Sequence, residues 1–300
     1  MNRVLLRLYP ADFRRLFGEE LVEAYREATE GAGRGVRLRE SADVVAQGLR
    51  LRLGIGSAHR GGRLLAASAP FALAATAAYA AFNLVGTVGD WYVIRGAGAS
   101  GSVAPLMTLL NAGYVLTLIG AVVALAGRYL PGALCALAGT VGSALGFLDP
   151  IWRVPPALDW PLMGCLFAPI LVASLALGCP PDLRPVRRAR GGAGVLAVVM
   201  WAVLLVAALV VIDPLGLGLL FHWRFGVPLA AALLLVGRQA FARINSATQL
   251  ACAASPFVIT LHFSGWGRSG ELLAIVAALA VIAAVLRLRR GGGQGTVNPA

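Results

Sequence analysis

The chain contains no lysine, and all 26 of its basic residues are arginine. That absence excludes a Schiff-base lysine and the lysine of a phosphate-binding loop before any motif is sought. Acidic side chains are scarce, at 14, and histidine occurs three times. Cysteine is limited to Cys135, Cys165, Cys179 and Cys252, which lie within or at the ends of apolar runs and form neither a CxxC pair nor a metal-ligand spacing. They are expected to be small core residues, with no disulfide and no metal site. There is no G-x-S-x-G, no H-E-x-x-H and no paired-carboxylate signature at helical spacing, so hydrolase chemistry has no anchor. Gly96, Gly98 and Gly101 fit G-x-G-x-x-G, but no strand-helix-strand pattern surrounds them, and they read as a turn. No catalytic residue and no cofactor is expected.

What the chain has in abundance is apolar sequence. Hydrophobic residues make up 58% and charged residues 13%, and the mean hydropathy is +0.77. With several apolar runs of bilayer length, these values describe a chain whose solvent is mostly lipid. The net charge of +12 would suit nucleic acid, yet the arginines gather where the apolar runs end. Membrane topology and attraction to anionic lipid account for them, and no recognition helix supports nucleic-acid binding.

Hydropathy predicts an all-α, polytopic transmembrane bundle of about eight spans: residues 64–86, 104–127, 130–148, 160–179, 193–212, 225–237, 245–263 and 271–286. The sixth is short unless it borrows residues 215–221, which would draw His222 and Arg224 into lipid. The opening MNRVLLRLYPADF is broken by Arg7 and Pro10 and does not read as a cleavable signal peptide. Residues 1–63 form a cytoplasmic helical head, 64–290 the bundle and 291–300 a disordered tail. The segment from Pro180 to Gly192 sets the orientation, because it packs Arg184, Arg187, Arg188 and Arg190 between two apolar runs. Counted with the head, Arg128, Arg238, Arg243 and the last three arginines, 22 lie on one side. Only Arg95, Arg153, Arg224 and Arg268 lie on the other. The excess marks the cytoplasmic side, so a multi-pass plasma-membrane protein with both termini inside is expected.

Within the head, residues 4–28 read as short helices, with Pro10 able to begin a new turn and Leu5, Leu8, Phe13, Phe17, Leu21 and Tyr25 recurring at helical spacing. A break is expected at Gly31, Gly33 and Gly35, followed by a helix over residues 36–53. That helix places Leu38, Val45 and Leu49 on one side between flanking arginines, as a helix lying on the inner membrane surface would. The run LLRLYPADFRRLFGEELVEAYREA carries Arg7, Leu8, Tyr9, Pro10, Phe13, Arg14, Phe17, Gly18 and Glu19. It resembles the short prefix found ahead of some bacterial ABC-type permeases, and in actinobacterial membrane proteins that accompany PadR-type regulators. Those permeases carry a large extracytoplasmic domain, for which this chain has no loop. The resemblance therefore implies a cytoplasmic docking element on a membrane body, with Tyr9, Phe13, Phe17 and Tyr25 as candidate residues for a soluble protein partner.

The outer loops gather a second candidate site: Asp90, Trp91, Asp149, Trp152, Asp159, Asp213, His222 and His262. An interfacial aromatic belt with aspartates at helix ends explains most of it, and a pocket for a lipid headgroup, cation or small amphiphile is the sharper reading. The confident spans hold no Asp, Glu, Arg or His near their centres, unlike proton- or sodium-coupled transporters. Asn83 and Asn111 are their most polar residues and are expected to bond between helices. The third span presents small faces through Gly132, Ala136, Gly139, Gly142, Ser143 and Gly146, and Pro70, Pro169, Pro228 and Pro256 are expected to kink their spans. The leading functional expectation is a membrane-embedded interaction or regulatory protein. A permease subunit and a lipid-modifying enzyme using Asp149, Asp159, Asp213, His222 and His262 are the alternatives.

Overall fold

A computed structural model describes residues 3–96, 104–153, 160–184 and 221–263, with Ala197, Met200 and Val281 as isolated positions. Every regular element among the described residues is helical. The chain divides into two compact units, Met1–Arg63 with Pro180–Leu183, and Leu64–Cys179 with the residues from Arg184 onward.

The first unit is built on α1 (Arg3–Leu6), α2 (Ala11–Thr29) and α3 (Arg34–Arg52). Pro10 stands at the N-cap of α2, where its missing N–H costs no helical bond. Gly33 caps α3, so the helix starts two residues earlier than expected and Gly35 lies inside it rather than in the break. α3 ends in a Schellman turn: Ile55 N–H donates to Arg50 O at 3.0 Å and Gly54 N–H to Leu51 O at 3.4 Å. Gly54 sits at φ 64°, a conformation that favours glycine. Both α1 and α2 pack on α3. Gly48 makes one close approach, since a Cβ there would lie 3.1 Å from Leu8 Cβ.

The second unit holds α4 (Arg60–Gly96, from Leu64 onward), α5 (Ala104–Leu125), α6 (Tyr129–Arg153), α7 (Trp160–Leu177), α8 (Phe221–Ala242) and α9 (Ala247–Phe263). Helices thus stand at six of the eight expected spans, and residues 193–212 and 271–286 lie largely outside the described residues. Three helices are long and apolar enough to cross a membrane: Arg60–Val88, Thr108–Leu125 and Tyr129–Phe147. Shorter apolar helices occupy Met163–Leu177, Gly226–Gly237 and Ala247–Thr260.

α4 is the central helix. Its apolar window is 89% buried, against 39% for α5 and α6. Alanine makes this position available, because Ala69, Ala72, Ala74, Ala77 and Ala80 let neighbours approach on every side. Phe71 meets Phe241 of α8 edge to face at 5.0 Å, and Tyr79 meets Tyr114 of α5 at 6.1 Å.

α5 and α6 form an antiparallel hairpin that packs backbone against backbone. A Cβ at Gly113 would stand 2.7 Å from Ser143 N, and one at Gly120 would stand 2.7 Å from Gly132 O. Gly132 and Gly139 are equally enclosed by α5. The hairpin turns at Gly127, φ 112°, through a second Schellman pattern in which Arg128 N–H donates to Val123 O at 3.1 Å. The small face of the third span is real, but the close backbone approach uses Gly132 and Gly139, seven residues apart, and a Cβ at Gly142 would meet nothing within 4 Å.

The four prolines expected to kink their helices do lie inside them, in α4, α7, α8 and α9. In α8, however, the non-helical backbone is at Gly237 (φ 74°, ψ 162°) rather than at Pro228. In α9, Pro256 deprives the Cys252 carbonyl of its helical donor, and the Ser255 hydroxyl supplies one at 3.0 Å.

Candidate functional site

The head carries the first set of candidate residues. Tyr9 is 1% exposed, and its hydroxyl donates to Val44 O of α3 at 3.0 Å. Burial pushes the Tyr9 phenol above its ordinary pKa. From Tyr9 an aromatic ladder runs outward along α2, with Phe13 stacked on it at 5.2 Å and Phe17 on Phe13 at 5.1 Å. Phe17 is 45% exposed, and Leu16 beside it 73%. Tyr25 is half-buried and its hydroxyl pairs with Ser41 Oγ of α3 at 2.8 Å. Of the four docking candidates, Tyr9 and Tyr25 therefore bind the head together, and Phe17 offers surface.

The outer-face candidates are placed by helix direction. Thr87 of α4 bonds to Asn111 of α5, and Gly146 of α6 lies against Leu110 of α5. The C-terminal ends of α4 and α6, with Asp90, Trp91, Asp149 and Trp152, consequently share one end of the bundle. Phe241 of α8, past the break at Gly237, meets Phe71 near the start of α4, and His222 stands in the first turn of α8. His262 is exposed in the last turn of α9. Asp159 and Asp213 lie outside the described residues. Among the described residues no group of three or more His, Cys, Asp or Glu side chains is placed to hold a metal ion.

Between α4 and α5 the structure reveals a partly buried polar stripe of which the sequence shows only the two asparagines. Tyr79, Asn83 and Thr87 follow one another at four-residue intervals on α4, facing Asn111 and Tyr114 on α5. Asn111 accepts the Thr87 hydroxyl across the helix pair, as expected. Asn83 differs: its amide donates to Tyr79 O one turn back in its own helix, at 2.9 Å. Tyr114 is fully buried, with the Tyr79 ring edge to face against it. Comparison with known proteins yields no matching family model, no matching curated protein and no matching solved structure. The stripe is assembled from hydroxyls and amides, which lock helices together and can hydrogen-bond a small polar group.

The opposite end of the bundle is basic. Tyr129, at the start of α6, donates its hydroxyl to Ala176 O of α7 at 2.7 Å, and the Arg184 guanidinium stands 5.9 Å from the centre of its ring. Arg128 lies in the α5–α6 turn at this same end. Arg184 opens the arginine-rich segment that ends at Gly192, and the Tyr129 ring face holds it by a cation–π contact.

Proposed function

We propose that the protein is a multi-pass plasma-membrane protein that carries a docking head on the cytoplasmic side and acts through a soluble protein partner. The observation that carries the membrane part is the apolar surface of the second unit. Leu116, Ile119, Leu134, Leu145, Phe167 and Leu171 point outward, although the interior already holds Phe71, Leu73, Tyr114 and Ile244 among its alanines. Water would penalise that surface, and hydrocarbon accommodates it. The remaining spans at residues 193–212 and 271–286 complete eight crossings, with the arginine-rich side in the cytoplasm. Grouping of Pro180–Leu183 with residues 1–63 supports a common side for that loop and the head.

The docking reading rests on the head being a separately packed unit that leaves Leu16 and Phe17 uncovered. The prefix resemblance points the same way. A photo-crosslinking residue in place of Phe17, in the full chain in cells, is expected to capture a soluble cytoplasmic protein, whereas the same residue at Asp43 of α3 is not. Loss of capture on Leu16→Asp, with insertion intact, is the matching control. Recovery of no protein at position 17 ends the docking reading.

One observation favours a permease as the second reading, namely the polar stripe itself, which sets Thr87 against Asn111 and Tyr79 against Tyr114 between two apolar helices. If the stripe lines a path, Asn111→Cys reacts with small water-soluble thiol reagents in native membranes. An inert cysteine there removes this reading.

A further inference from the structure

The stripe of α3 that packs on the rest of the head is not the apolar one. Ser41, Val44 and Gly48 face α1 and α2 through the Tyr25 hydroxyl, the Tyr9 hydroxyl and the Leu8 backbone respectively. About a third of a turn round the helix, by its 3.6-residue period, Leu38, Ala42, Val45, Leu49 and Leu53 form a second line. Leu38 is 72% exposed, Leu49 45% and Leu53 67%, so none of the three is spent on the head's core. Arg39 and Arg50 flank this line on one shoulder and Arg34 on the other, while Asp43 and Gln47 lie beyond the arginines. Arg52 is committed inside the head, donating to Arg7 O at 2.5 Å.

From this juxtaposition we propose that α3 lies in the plane of the inner leaflet, its Leu38–Leu53 stripe among the acyl chains and Arg34, Arg39 and Arg50 on anionic phosphate headgroups. Three features select a lipid surface over a protein. The apolar line runs the full length of the helix, and cations border it on both sides. Charge is also segregated within the head. α3 carries five arginines against two acids, whereas α2 carries five acids against three arginines, so only α3 is attracted to an anionic leaflet. Finally, Leu53 is separated by only six residues from Arg60, the first residue of the long apolar helix α4. A linker that short keeps the end of α3 within roughly 25 Å of the start of α4 even when fully extended. The proposal rests on the membrane reading of α4 given above.

The test uses the full chain in nanodiscs, with its four native cysteines replaced and a fluorophore attached to single cysteines at Ala42, Leu49, Asp43, Gln47 or Ile119. Lipids with a nitroxide near the headgroup end of the acyl chain are expected to quench positions 42 and 49 several-fold more than 43 and 47. A deep nitroxide is expected to quench Ile119, on the outward side of α5. Replacing phosphatidylcholine partly by phosphatidylglycerol strengthens the quenching at 42 and 49, and R39Q with R50Q abolishes that dependence. Quenching at 119 with none at 42 and 49 overturns the in-plane placement alone. Protection of 42 and 49 from both lipid and aqueous quenchers overturns it in favour of a protein covering, a second copy included. Absence of quenching at 119 overturns the membrane reading and the inference with it.

Discussion

Gly139 and Gly142 stand three residues apart on one helix and are not equivalent. A Cβ at Gly139 would lie 2.5 Å from Thr117 N and 2.6 Å from Gly113 O, while one at Gly142 meets nothing within 4 Å. Backbone atoms cannot swing aside as a side chain does, so Gly139→Ala must push α5 and α6 apart. The expected cost is about 1–3 kcal/mol of stability. Gly142→Ala, by contrast, gains about 0.5–1 kcal/mol from the better helix former. Thermal unfolding of the two variants in one detergent separates them. Tyr9 makes a second prediction at this scale. Its folded phenol stays protonated to higher pH than in the unfolded chain, so the stability it contributes is complete below its ordinary pKa of 10.0 and falls as pH rises above it. Protection of the α3 amides, relative to their intrinsic base-catalysed exchange, is expected to fall over that interval in the parent protein. Tyr9→Phe removes that fall and costs about 0.5–1.5 kcal/mol through the lost bond to Val44 O.

At the scale of helices, the polar stripe tests which bonds join elements and which stay within one. Asn111 joins α4 to α5 through Thr87, whereas Asn83, among the described residues, donates to its own helix's Tyr79 carbonyl. Asn111→Ala is therefore expected to lower the resistance of the bundle to denaturation, by about 0.6–1.7 kcal/mol, and Asn83→Ala to cost less. Equal losses would show that the interhelical bond is not what holds this part of the pair. The same reasoning applies to α9, where Ser255 supplies the donor that Pro256 takes away. Local periodicity made most of the elements themselves legible: α2 begins after Pro10, and the small face of α6 is visible as glycine, alanine and serine at three- and four-residue spacing. Partner identity is another matter. Which glycine of α6 meets α5 depends on the rotation of two helices about their axes, and G-x-x-x-G spacing at Gly142 and Gly146 carries no information about it. Gly146 in fact meets Leu110 side-chain atoms, and the backbone approach falls on Gly132 and Gly139.

For the whole molecule, the prediction concerns sidedness. In intact cells a membrane-impermeant thiol reagent is expected to label Ser100→Cys, in the first outer loop, and to leave Asp182→Cys, beside the arginine-rich segment, unlabelled until the membrane is opened. The reverse pattern would invert the proposed topology.

Hydropathy and arginine position are properties of the linear chain, because each span must supply about 20 apolar residues from its own sequence and charge must sit where a span ends. The all-helical class and the gathering of arginine where the apolar runs end were accordingly determined by sequence alone. Burial is a property of neighbours. Only the tertiary structure decided that the alanine-rich α4 is enclosed on all sides, that Tyr9 belongs to the interior of the head while Phe17 remains at its surface, and that the leucines of α3 are left uncovered. An apolar residue reads alike whether a helix, a lipid or a partner will cover it, and the choice is made by which surfaces the packed chain leaves exposed.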